Sequence, residues 1–160
     1  MHRDIARALV GLSIILLAPS SLAQSTVELG GTISLGEGDL GIEGISVSDN
    51  QDLILAHGAN SGIFLIDSNS PENSSHIEWS GDYSLLDSSF HPGGETAIMV
   101  GEGGNVLRMT LANSSIEQAG GPSIFGDTLL TSVSWNGDGS WAYIGGEDGW
   151  IWRFRGTSDG

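Results

Sequence analysis

Cysteine and lysine are both absent from the 160 residues, and arginine supplies all five basic side chains. Without cysteine there is no disulfide staple and no lipoprotein anchor, so stability has to come from burial. Five cations against 20 acidic residues leave a formal net charge of −15. A surface of that sign repels phosphate backbones and anionic lipids, which argues against nucleic acid or a membrane as partner. It suits a soluble protein in a salty exterior, where screening limits self-repulsion, and leaves cationic partners open. Long hydrophobic runs are also missing. The longest, Ala8–Ala18, is about eleven residues where a bilayer span needs about 20.

That run follows Arg3 and Arg7 and precedes Ser21-Leu22-Ala23, small residues at the two positions a signal peptidase reads. Residues 1–23 therefore read as a secretory signal cleaved before Gln24, with an uncleaved anchor as the alternative. The expected location is secreted or extracytoplasmic, with no membrane attachment after cleavage.

Glycine is abundant instead, at 25 residues, and it falls in register. Phe90–Met109 lies over Trp135–Phe154 at an offset of 45, matching an aromatic start, a Gly turn, an Ala in mid-strand, Gly-Glu before the next turn and a late Arg. Gly81-Asp82 and Leu85 fall on Gly126-Asp127 and Leu130, and a more divergent copy at an offset of 43 supplies Gly38-Asp39, Ile42 and Val47. The apolar residues alternate, which excludes helical repeats. A period of about 40 to 45 residues with about four short strands predicts an all-β chain of β-propeller blades.

Residues 24–160 then form one domain of about three four-stranded antiparallel blades, near 38–80, 81–125 and 126–160. The third lacks a fourth strand before the sequence stops. Residues 26–35, which alternate Val27, Leu29, Ile33 and Leu35, are a candidate to complete it. Propellers typically have about four to eight blades, so the expectation is a partial ring or a piece of a longer protein. Its open side faces would be apolar and prone to self-association. Small residues at Gly44, Ser46, Ser48, Ser88, Ser89, Ser132 and Ser134 suit first strands that converge on an axis. Val47, Phe90 and Trp135 share one position and are expected to point together into the packing between blades.

In a four-strand meander alternate turns lie on opposite faces. One face collects Glu102, Glu147 and Asp148 from the Gly-rich turns, and Asp39, Asp82 and Asp127 from the segments leading into first strands, with Tyr83 and Trp150 as stacking surfaces. The repeated Asp has three readings: a turn carboxylate accepting backbone N–H bonds, a carboxylate ring holding calcium, or an acid–base pair. The first is favoured, because a residue present in every repeat serves the repeat. No cofactor is expected, calcium being the one cation to keep in view.

His57 and His91 end strands of opposite sense and His76 sits on an outer strand, so no zinc site is expected. No nucleophile elbow, phosphate loop or dinucleotide fingerprint is present. Trp135 reads as core, and Trp150 and Trp152 as one face of a strand. Asn73-Ser74-Ser75 and Asn113-Ser114-Ser115 are glycosylation acceptor sequences in surface loops.

At blade level, residues 38–160 resemble the WD-repeat β-propellers. Phe90–Gly94 and Trp135–Gly139 look like that family's turn after the first strand, and Gly146–Phe154 like its second turn and third strand. Gly-Asp stands where the family has Gly-His, and no Trp-Asp closes the third strands, so the family's His–Asp network is not expected. The resemblance implies a protein-interaction or scaffolding module without catalytic activity. The alternative is a propeller enzyme acting on glycans, a hydrolase or lyase, with the acidic face as its carboxylate site.

Overall fold

A computed structural model of the chain describes residues 32–35, 41–59 and 62–155. The signal at 1–23, Asp39, most of the 26–35 segment and the tail at 156–160 lie outside the described residues. Residues 32–35 are not in a strand; Leu35 packs against Ala56, Phe64 and Ile66.

The fold is all-β, in three antiparallel sheets. The first runs β1 (Ile42–Val47), β2 (Leu53–Gly58), β3 (Ile63–Asp67), β4 (Ser75–Ile77). The second runs β5 (Leu85–Phe90), β6 (Thr96–Gly101), β7 (Val106–Thr110), β8 (Ser115–Gly120), and the third β9 (Leu130–Trp135), β10 (Ala142–Gly146), β11 (Ile151–Phe154). Within each sheet, consecutive strands are neighbours. β6, the second strand of the middle sheet, is covered on both faces: every residue after Thr96 is buried, as its continuous apolar run between turns requires.

The same backbone bonds recur from sheet to sheet. Ser48, His91 and Asn136 donate their N–H to Leu53, Thr96 and Trp141, each at 2.9 Å. Gln51, Gly94 and Gly139 close the turn onto Ser48, His91 and Asn136 at 2.8, 2.8 and 2.9 Å. These three share a left-handed backbone, with φ of 61°, 74° and 71°. Gly94 and Gly139 adopt it without a Cβ, whereas Gln51 bears the steric cost, about 1–2 kcal/mol for an ordinary residue. Gln51→Gly is therefore expected to raise stability by about 0.5–1 kcal/mol, after the added freedom of the unfolded chain is subtracted. A urea midpoint that falls instead would refute this.

Two apolar cores lie between the sheets. Leu55, Ile63 and Ile77 meet Leu85, Phe90, Ala97, Met99, Leu107 and Met109 in the first. Ile98, Val100 and Val106 meet Leu130, Val133, Ala142 and Ile144 in the second. The first strands β1, β5 and β9 lie side by side, and their small residues permit it: a Cβ on Gly44 would lie 2.6 Å from the His57 ring and 3.0 Å from the Leu86 carbonyl oxygen.

One expectation needs correction. Phe90 is 6% exposed and Trp135 packs into the second core, but Val47 is 50% exposed. It lies on the side of the first sheet away from the second, and its sheet faces no other there among the described residues. After β8, Pro122–Phe125 form a four-residue helix, α1, which sets Phe125 edge-on against Trp152 at 5.6 Å.

Candidate functional site

The turns after β2, β6 and β10 gather at one end of the sheets with the segments that lead into β1, β5 and β9. Backbone bonds hold each turn to the lead-in of its own sheet: Ala59 N–H to Gly41 O (3.1 Å), Glu102 N–H to Ser84 O (3.1 Å) and Glu147 N–H to Leu129 O (3.0 Å). One bond crosses sheets, from Gly104 N–H to Thr128 O at 2.8 Å. The acidic residues therefore sit on a backbone tied down by hydrogen bonds.

Their side chains divide into two kinds. Glu102 Oε2 accepts the Ser84 N–H at 2.9 Å, so this carboxylate serves its own turn. Asp148 accepts the Trp150 N–H at 3.1 Å and the Thr128 hydroxyl at 3.4 Å. Asp82, Asp127 and Glu147 carry exposed carboxylates. Asp127 approaches the second sheet's turn, its Oδ1 lying 3.7 Å from where a Cβ on Gly103 would stand. Carboxylates from two sheets thus share one surface.

The two aromatic residues differ. Trp150 is 68% exposed beside these carboxylates. Tyr83 packs on the first core, and its hydroxyl accepts the Trp79 indole N–H at 3.0 Å. Burial raises the Tyr83 pKa, the indole bond opposing it in part, so the phenol remains neutral at physiological pH. Among the described residues, no three His, Asp or Glu side chains are placed to hold a metal ion. Asn73 and Asn113 are exposed, in the connections between third and fourth strands. The Asn113 side-chain Oδ1 accepts the Ser115 N–H at 3.1 Å.

Sequence reasoning missed a set of polar residues at the junctions between sheets. His57 is fully buried, with Nδ1 3.0 Å from Leu85 O and Nε2 3.0 Å from Ser88 Oγ. A carbonyl only accepts, so Nδ1 carries the proton and Nε2 accepts from the Ser88 hydroxyl. Ser88 Oγ, 2.8 Å from Ser46 Oγ, in turn accepts the Ser46 hydroxyl. Burial depresses the His57 pKa, although the Leu85 carbonyl and the nearby Asp87 and Glu43 charges oppose it.

Asp87 accepts the Val133 N–H at 2.7 Å across the next junction. His91 also spans it, donating from Nε2 to Gly139 O at 3.0 Å while its Nδ1 accepts the Gly93 N–H at 2.9 Å. Nearby, the buried Trp135 Nε1 finds no acceptor among the described residues. The one signal for this set was His57 itself, a polar residue ending the apolar run Leu53–Ala56. In comparisons with known proteins, no family model and no curated protein matches the chain.

Proposed function

We propose that the chain belongs to a secreted, WD-repeat-like β-propeller and acts as a protein-interaction or scaffolding module, its acidic turn face receiving a basic surface of the partner. The propeller reading is supported by three consecutive antiparallel meanders stacked with their first strands side by side. Backbone bonds that recur at offsets of 43 and 45 residues add to it. The signal-like residues 1–23 support secretion.

The observation that carries the binding role is the acidic surface itself. Asp82, Asp127 and Glu147 are exposed near the exposed Trp150, with Glu147 and the neighbours of Asp127 held by backbone bonds. A preorganised cluster of one sign steers an oppositely charged partner and loses little entropy on binding.

An unstructured arginine-rich peptide is the probe. The wild type is expected to bind it with an affinity that falls steeply between low and moderate salt. Asp127→Asn with Glu147→Gln is expected to weaken binding about tenfold and flatten the salt slope, each exposed charge contributing up to about 1 kcal/mol. Binding unchanged by the double substitution would refute the role of this face. Turnover of a glycan, lost in the same variant, would favour the enzyme reading instead.

A further inference from the structure

The residues that stack one sheet on the next form two sets, one for each side. On the side facing the following sheet, Leu55 and Ile63 of the first sheet are fully buried. Their counterparts Ile98 and Val106 in the second are 1% and 0% exposed. The counterparts in the third sheet are Tyr143 and Ile151, at 46% and 75% exposure. Together with the small residues Ser132, Ser134 and Gly145 they line a shallow hollow of about 220 Å³.

The side facing the preceding sheet shows the reverse. Ser88 and Phe90 of the second sheet are buried against the first, and their counterparts Val133 and Trp135 pack against the second. In the first sheet those positions are Ile45 and Val47, at 65% and 50% exposure. Leu35 packs near Ala56, Phe64 and Ile66, and among the described residues nothing covers the β1 part of this side. The chain thus exposes, on its two end sheets, the two unlike halves of a junction it forms twice internally.

We propose that these halves meet between two copies of the chain, the third sheet of one stacking on the first sheet of the other, and that both such contacts form in a closed pair. The inference rests on the internal junctions and is independent of the acidic-face reading. A like-on-like contact would place Tyr143 and Arg153 against their own copies, whereas the unlike contact repeats packing already present. Head-to-tail contacts either close into a ring or run on into fibres. Two chains bring together six sheets, within the range of about four to eight at which such stacks close. Since each copy carries a net charge of −15, pairing is expected to strengthen with salt.

Light scattering coupled to gel filtration tests this on the purified chain. The wild type is expected at twice the mass of a single copy. Val47→Glu blocks the first-sheet side and Ile151→Glu the third-sheet side; both are exposed positions, and circular dichroism checks that each variant folds. Each alone is expected to pair about 100-fold more weakly and to run as a single chain. An equimolar mixture is expected to regain the two-chain mass, because one unlike contact remains intact between the two variants. A single-chain wild type, an open-ended size distribution, a variant that still pairs alone, or a mixture that stays single-chain would each overturn the proposal.

Discussion

Gly101→Ala is expected to destabilise the fold by about 3 kcal/mol, at the upper end of what overpacking costs. Gly58, Gly101 and Gly146 pair with Ile42, Leu85 and Leu130, where each first strand shifts register by one residue. The shift draws the lead-in segment against the end of the second strand. A Cβ on Gly101 would run into the Ser84 carbonyl oxygen, as one on Gly58 would into that of Gly41. Ser84 cannot retreat cheaply, since its O and N are both bonded to Glu102, at 3.1 and 2.9 Å. Gly137→Ala is the control, because its Cβ would meet nothing within 4 Å and surface changes stay within about 0.5 kcal/mol. Urea unfolding of the two variants side by side checks the account, which fails if both match the wild type.

The second large effect is expected at His57. Truncation to Ala leaves the Leu85 carbonyl and the Ser88 hydroxyl without their partner inside the junction, at a cost of about 3 kcal/mol. The wild type should also show a pH dependence of defined sign. With the folded pKa depressed below its ordinary 6.5, the unfolded chain binds the proton more readily than the folded one. The contribution of neutral His57 is then fully present above pH 6.5. It is lost progressively as the pH falls from there toward the folded value. Stability is expected to fall between pH 7.5 and 5.5, by no more than about 1.4 kcal/mol per pH unit for the one proton. Urea unfolding of the wild type and of His57→Gln at the two pH values isolates the effect. An equal slope in both proteins would assign the titration elsewhere.

The strands were legible because their signals are local. Alternation and turn glycines mark the strands, β9 at Leu130–Trp135 among them. α1 was not legible, since four residues show no period and Gly-Pro reads as a break, although Pro is well tolerated in a first helical turn. The junction network was hidden for a different reason. His57 and Ser88 are 31 residues apart and meet only once two sheets stack, which no local pattern encodes. The same holds for the acidic face: composition and turn position put Glu102 and Glu147 together. Only the fold shows that Glu102 bonds the Ser84 N–H while Glu147 stands exposed.

The central claim is that the sheets stack with their first strands side by side. The absence of cysteine makes it directly testable, since any thiol introduced is the only one present. Ser46 and Ser88 lie on β1 and β5, with their hydroxyl oxygens 2.8 Å apart. A disulfide needs its sulfurs about 2.05 Å apart and its Cβ atoms about 3.8 Å apart, and the hydroxyl contact shows the two side chains facing each other. The chain carrying Ser46→Cys with Ser88→Cys is predicted to close this bond under mild oxidation, giving a monomeric species with no free thiol that migrates faster on a non-reducing gel. Two thiols that remain free, or that link only between chains, would contradict the stacking of the first sheet on the second.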